Sequence, residues 1–221
     1  MVYITGDKHR EFDSVEEFCY DMETTEDDIL VILGDVGINF YGDMDDQHLK
    51  EVLSELPITL FCVHGNHEQR PYLIPTYDEV LWNGGIVYQE PDFPNLIFAK
   101  DGEIYNLNGF RCMAIGGAYS IGRGRFPDEQ PTDEIKEHVE DTLDANGWKI
   151  DVVFSHTCPY KHTPDDMFSL NVVRMVDKST EKWLELIESK TAYYAWYCGH
   201  FHTDRYVEKI RFVFNDFLEL V

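Results

Sequence analysis

Five short clusters rich in Asp, Asn and His stand along this sequence, each directly after a run of apolar residues. The clusters are Gly6-Asp7-Lys8-His9, Gly34-Asp35, Gly65-Asn66-His67-Glu68, Ser155-His156 and Gly199-His200-Phe201-His202. Mixtures of imidazole and carboxylate donors suit manganese, iron, zinc or cobalt, whereas calcium prefers a cage of oxygens. These donors outnumber the four ligands of a single tetrahedral zinc site, and they indicate a site for two metals.

Each cluster taken alone has an ordinary structural interpretation. Gly34-Asp35 is a common turn dipeptide, and the Asp7-x-His9 pair is typical of a strand end. The His200-x-His202 pair could be two surface histidines. Their occurrence together, in this order and each at the end of a predicted strand, favours a shared metal site.

A metal site of this kind needs a scaffold that brings five strand ends together. Short apolar runs at residues 2–5, 29–33 and 58–63 alternate with two amphipathic helical stretches. This β-α-β-α-β order predicts parallel strands joined by right-handed crossovers. Because ligands collect at the carboxyl ends of strands in an open α/β sheet, we expect the clusters to meet at one sheet edge.

Helix boundaries are predicted from capping residues and breakers. Ser14 and Glu17 have the spacing of a capping box, which predicts the start of the first helix. The second helical stretch begins at Asp43, and Pro57 stops it.

The middle of the chain changes character. Segments near residues 86–88, 96–99, 103–107 and 110–115 are short and separated by Asn and Gly turns, which is typical of antiparallel strands. Further helices near residues 135–143 and 180–189, strands at 152–154 and 192–198, and a closing hairpin within 206–217 follow. We expect an α/β fold with two sheets packed face to face, in one domain over residues 1–221.

The charge balance limits the classes of partner. The 18 Lys and Arg residues face 42 Asp and Glu residues, a formal net charge of −24. Because such a surface repels a phosphate backbone at long range, nucleic acid is disfavoured as a partner. No stretch approaches the ~20 apolar residues of a membrane span, and the first residues do not have a signal-peptide pattern. We therefore expect no membrane partner.

The five cysteines are odd in number, far apart and without a Cys-x-x-Cys pair. This usage is typical of reduced, buried thiols and argues against a disulfide framework or a zinc finger. A cytoplasmic location is the simplest expectation.

The five ordered clusters, which span residues 6–202, together resemble the motifs of calcineurin-like metallophosphoesterases. The resemblance implies an α/β/β/α sandwich of two mixed sheets flanked by helices, with two bound divalent metals. Manganese is the first candidate, and iron, zinc, cobalt and nickel are alternatives. Asp35 would bridge the metals, one held by Asp7, His9 and His202 and the other by Asn66, His156 and His200.

The implied reaction is in-line attack of a metal-bridging hydroxide on phosphorus. His67, which is not a ligand, would act as the general acid, and Asp35 would be catalytic through its bridging position. Phosphomonoesters and small phosphodiesters both fit the motifs, so the expected partner is a small phosphoester. The alternative is a catalytically silent scaffold, but such a protein is expected to have lost a ligand or His67, and this chain has them all.

Three arginines are candidate substrate-binding residues. Arg10 stands where many members of the family have Gly, and it could bind phosphate or form a surface salt bridge. Arg123 and Arg125 belong to a Gly-rich stretch that is either a phosphate-binding loop or a plain surface loop. The second motif lacks the Asp-Arg-Gly of classical protein Ser/Thr phosphatases, so we expect a different branch of the family.

Overall fold

A computed structural model describes residues 1–121, 126–169 and 175–220. The α-helices in these ranges are α1 (Asp13–Met22), α2 (Met44–Ser54), α3 (Asp133–Ala145) and α4 (Ser179–Lys190). The strands are β1 (Val2–Thr5), β2 (Ile29–Ile32), β3 (Thr59–Cys62), β4 (Asp78–Trp82), β5 (Gly85–Gln89), β6 (Leu96–Ala99), β7 (Ile104–Leu107), β8 (Phe110–Ile115), β9 (Val152–Ser155), β10 (Ala195–Cys198), β11 (Arg205–Val207), β12 (Ile210–Phe212) and β13 (Leu218–Glu219). No helix among the described residues is long and apolar enough to cross a membrane.

The strands form two mixed sheets. The first has seven strands in the order β13-β1-β2-β3-β6-β5-β4, and the second has six in the order β11-β12-β10-β9-β8-β7. Strands β1, β2, β3 and β6 are parallel, as are β12, β10, β9 and β8. Antiparallel strands complete each sheet at both edges. The predicted two-sheet α/β architecture is confirmed.

Alternation of side chains along the central strands builds three apolar layers. Ile4 and Val31 point into a core shared by both sheets, whereas Tyr3, Leu30 and Ile32 point the other way. The latter pack with residues of α1 and α2 in the second layer. The third layer lies between the second sheet and helices α3 and α4. Because both faces of each sheet are covered, the central strands are apolar throughout.

Two local predictions were wrong. The first helix begins at Asp13, and its N-cap is Phe12, which makes no side-chain capping bond. The Ser14–Glu17 capping box is therefore not formed. Strand β4 was missed because it is a sheet-edge strand with acidic, exposed residues, so it lacks the apolar run of a central strand. The start predicted for the second helix, at Asp43, is within one residue of the observed start of α2 at Met44, and the Asp43 side chain caps it by accepting from the Asp45 amide.

The cysteines provide a test of this packing. All five are free and buried, and burial raises the pKa of the Cys112 thiol to about 12 and those of Cys62 and Cys158 well above their usual value. Because the thiolate is the reactive form, we expect no alkylation by iodoacetamide in the folded protein and five modifications after unfolding in guanidinium. Intact-mass spectrometry checks both. Fast modification of any thiol under native conditions would contradict the packing.

Candidate metal centre

Two groups of potential metal ligands lie at the carboxyl ends of the parallel strands. One is Asp7, His9 and His202, and the other is Asp35, His156 and His200. Within each group the donor atoms all lie within 4.8 Å of one another. Strands β1 and β2 of the first sheet and β9 and β10 of the second lead into these residues, and β3 leads into Asn66, whose Oδ1 atom lies 2.8 Å from His156 Nε2. The clusters therefore meet where the ends of two sheets adjoin, and not at the edge of one sheet as expected.

Asp35, a member of the second group, also faces the first. Its Oδ2 atom is 3.9 Å from His9 Nε2 in the first group, and its Oδ1 atom is 3.5 Å from His156 Nε2 in the second. The amides of Asn66 and His67 donate to Oδ1, both at 2.8 Å. One carboxylate thus faces both groups and also fixes the turn after β3.

The backbone at this site adopts a conformation that L-residues rarely occupy. Asp35, His9, His200 and His202 have φ values of 45°, 47°, 66° and 48°. Left-handed backbone at non-glycine residues persists only where surrounding contacts hold it, and it is concentrated at functional sites. Here the amides of Lys8 and His9 donate to the Asp35 carbonyl at 3.1 and 2.7 Å, which fixes the turn after β1.

Hydrogen bonds orient two of the donors. The Nδ1 atom of His156 lies 2.8 Å from the Leu33 carbonyl, which can only accept, so Nδ1 carries a proton and Nε2 is the atom that becomes a ligand when its own proton is lost to an incoming metal. The Asn66 amide nitrogen donates to Ser120 Oγ at 2.9 Å, which turns its oxygen towards His156 Nε2, 2.8 Å away. Both side chains therefore present their ligand atoms to the same point.

Electrostatics at the site favour a cation. Burial alone would raise the pKa of Asp35, but the neighbouring charge of His156 holds it well below its usual range. Burial opposes a charge on His156, yet Asp35 raises the pKa of His156 to about 9. Burial and the charge of His156 lower the pKa of His200 to about 4, so His200 is the neutral imidazole that a metal requires.

A further observation supports the fit of the donor set to divalent metals. Asp7 is buried, and its Oδ2 atom has no hydrogen-bond donor among the described residues, although His202 Nε2 lies 3.2 Å away outside hydrogen-bond geometry. The Nε2 atoms of His9 and His202 are 2.9 Å apart. A buried carboxylate oxygen beside two imidazole nitrogens is a donor arrangement that suits a transition-metal cation.

His67 and the predicted arginines differ in where the structure places them. His67 lines a cavity of about 410 Å³ together with His9, Asp35, Asn66 and His200. Arg10 instead donates to the Gly37 carbonyl at 2.7 Å and to Asp46 at 2.5 Å, which is the salt-bridge alternative. Phosphate binding by Arg10 stays a prediction without a contact to support it. Arg123 and Arg125 lie outside the described residues.

Sequence reasoning assigned no role to two residues that position ligands. Ser120 orients Asn66, as described above. Glu68 is fully buried and accepts from the amides of Gly65 and Gly37 at 3.1 and 3.0 Å, so it ties the turn after β3 to the turn after β2. The position of Glu68 directly after Asn66-His67 is a signal for such a role, whereas Ser120, 54 residues from Asn66, gives none.

Comparison with known proteins agrees with this geometry. The family model for calcineurin-like phosphoesterases matches residues 1–204. A phosphopantetheinyl hydrolase from Mycobacterium tuberculosis has a similar fold, with 16% identity, a TM-score of 0.52 and coverage of 96% of this chain and 86% of that one. A protein described as a 5′-nucleotidase from Staphylococcus aureus shares 13% identity, with a TM-score of 0.51 and coverage of 97% and 48%. The chain matches none of the curated protein sequences.

The two-sheet fold and its ligand clusters define a metal-dependent phosphoester hydrolase. Because the family model matches most of its length, the chain belongs to the calcineurin-like phosphoesterase family. Family membership implies divalent metal ions, and the two ligand groups are where such ions can bind.

Gly65 leaves very little room for a side chain at the site. A Cβ atom there would lie 2.0 Å from the Asp35 amide nitrogen and 2.1 Å from its Oδ1 atom. We expect Gly65→Ala to displace Asp35 and to weaken binding of divalent metal by more than tenfold, measured by calorimetric titration. Gly42→Ala controls for backbone strain alone, because its left-handed backbone (φ 73°) disfavours a side chain although its Cβ would meet nothing within 4 Å. Equal metal affinity in both variants would contradict this reading of the turn.

Ser120 provides a second test of ligand positioning. Ser120→Ala removes the acceptor for the Asn66 amide, and loss of such outer partners typically weakens metal binding by about 10–100-fold. We expect a loss in this range, with recovery in Ser120→Thr, again by calorimetric titration. Ser189→Ala is the control, since its hydroxyl only donates to the Leu186 carbonyl on α4. Unchanged affinity in Ser120→Ala would remove Ser120 from the site.

Proposed function

We propose that this chain is a dinuclear hydrolase of small phosphoesters. Asp7, His9 and His202 would hold one metal, Asn66, His156 and His200 the other, and Asp35 would bridge them. The observation that carries the proposal is the position of Asp35, whose two carboxylate oxygens face one histidine in each group.

The donor types support the choice of metals. Each position offers two imidazole nitrogens together with oxygen donors, a set that suits manganese, and also iron, zinc, cobalt or nickel. We propose manganese as the native ion. When bound, two such cations lower the pKa of water and neutralise negative charge on the phosphoryl oxygens.

His67 is the proposed proton donor to the leaving group. Its backbone amide donates to Asp35 Oδ1, which holds the residue beside the ligand groups. Its ring centroid lies 5.6 Å from that of His9, and its exposed side chain borders the cavity. A proton held on the imidazole at this place can pass to the departing oxygen as the P–O bond breaks, a contribution of typically 10²–10⁴-fold.

The setting of the site supports small substrates. A strongly acidic protein repels extended polyanions at long range, and the cavity of about 410 Å³ lies in the size range of small-molecule sites, roughly 300–1,000 Å³. Phosphomonoesters and small diesters both remain candidates. A single domain over residues 1–221 and a cytoplasmic location are part of the same proposal, the latter based on five free cysteines.

Hydrolysis assays on metal-free protein reloaded with manganese test the proposal. We expect turnover of an aryl phosphomonoester or the matching diester, with a loss of about 10²–10⁴-fold in kcat for His67→Ala because the proton donor is removed. His156→Ala should lose activity through loss of metal. His48→Ala is the control, since this exposed histidine lies on α2 and contacts only Glu51 among the ion pairs of the described residues.

Metal content measured on the same samples separates the outcomes. The wild type and His67→Ala should bind two ions per chain, and His156→Ala fewer. Two tightly bound ions without turnover on either ester would favour the silent scaffold over the hydrolase.

A further inference from the structure

The cavity beside the candidate metal centre has more room than a phosphoryl group needs. Its lining includes His67 and members of both ligand groups. It also includes the apolar side chains of Ile121, Met167, Phe168, Val176 and Phe201, which are called the wall below. The part of a substrate that departs from phosphorus must fit in the rest of this cavity, so the wall helps to determine which leaving groups fit.

The wall is apolar and partly exposed. Ile121, Met167 and Phe168 are 65%, 47% and 37% exposed, although they are large apolar side chains on a protein of net charge −24. Exposed apolar residues that gather at one cavity mark a binding surface more often than residues that are scattered singly. Covering them with an apolar group would remove that surface from water, which is favourable.

Other contacts fix the wall in place. Phe201 packs against Phe212 of β12 with ring centroids 5.8 Å apart, and Phe168 lies 6.2 Å from Phe201 at an interplanar angle of 58°. The turn before Phe168 is held by two ion pairs, Lys178 with Asp165 at 2.6 Å and Arg205 with Asp166 at 3.0 Å. The apolar surface is therefore built on supported elements.

The charges on the wall disfavour an anionic leaving group. Lys178, the cationic side chain among the described residues of the lining, is already paired with Asp165. Glu181 is buried and also lines the cavity; its Oε1 accepts from Thr157, and Oε2 has no hydrogen-bond partner among the described residues. Among the described residues of the lining, an additional carboxylate or phosphate on the leaving group would meet two acidic side chains and a neutralised lysine.

We propose that the natural substrate is a phosphoester whose leaving group is an uncharged, apolar alcohol that packs against Met167, Phe168 and Phe201. This inference rests on the proposed hydrolase function and extends it to substrate class. In the reaction, water forms the new bond to phosphorus, the bond between phosphorus and the alcohol oxygen breaks, and one proton ends on the released alcohol.

Three primary-alkyl phosphates of similar intrinsic reactivity test the substrate class. They are ethyl phosphate, 2-phenylethyl phosphate and 2-(4-carboxyphenyl)ethyl phosphate. Because burial of a phenyl group removes apolar surface from water, we expect kcat/KM for the phenylethyl ester to exceed that for the ethyl ester by at least about tenfold. The carboxylated ester should fall several-fold below the phenylethyl ester. Equal kcat/KM for ethyl and phenylethyl phosphate would overturn the inference.

Variants of the exposed wall locate the effect. In Phe168→Ala and Met167→Ala the ratio of kcat/KM for phenylethyl over ethyl phosphate should fall by about three- to tenfold. Leu186→Ala is the matched control, because Leu186 is a large exposed apolar residue on α4 that is not part of the cavity wall. A ratio unchanged in both wall variants would also overturn the inference.

Binding of non-hydrolysable analogues separates this inference from the proposed function. If neither these three esters nor the aryl phosphomonoester and its matching diester are hydrolysed, the hydrolase proposal fails, and calorimetry with metal-loaded protein still compares propylphosphonate with 3-phenylpropylphosphonate. Tighter binding of the phenyl analogue, lost in Phe168→Ala, would support the apolar wall, and equal affinities would overturn it.

Discussion

The hydrogen bonds of Asp35 hold the turns of the first sheet together. Its carbonyl accepts amides from the turn after β1, and its carboxylate accepts amides from the turn after β3. Because Asp35 itself follows β2, one residue joins the ends of three neighbouring parallel strands. This arrangement requires a left-handed backbone at Asp35. It also leaves no room for a Cβ atom at residue 65, so that residue must be glycine. Without these hydrogen bonds, the ligands that follow β1 and β3 would not be held at fixed positions relative to each other.

The second sheet completes the site from the opposite side. His156 and His200 follow the adjacent parallel strands β9 and β10, and the His156 ring reaches across to the Leu33 carbonyl at the end of β2. This bond crosses between the sheets, so the packing of the shared core sets the distance between the ligands that come from the two sheets. Buried carboxylates such as Asp7 and Asp35 oppose folding unless positive charge offsets them. A bound cation would therefore stabilise the fold as well as serve the chemistry.

The limits of sequence reasoning follow from the range of the interactions involved. The central strands and the residues at their ends were predictable, because apolar runs followed by Gly-Asp or Gly-Asn are local patterns. The division of those strands between two sheets, the contact of Ser120 with Asn66 and the salt bridge of Arg10 depend on residues far apart in the chain. The capping box at Ser14 failed because a local pattern permits a cap without requiring one.

The net charge of the chain does not predict the surface that a substrate meets at the site. An excess of acidic residues describes the long-range field, but the surface that a leaving group meets is set by Met167, Phe168 and Phe201, which come from two distant segments. In sequence they lie among polar and charged neighbours and form no apolar run. Only the packing of Phe201 on Phe212, together with the ion pairs that hold the turn before Phe168, assembles them into one wall. Substrate class thus depends on tertiary structure, whereas the metal ligands can be recognised from local sequence motifs.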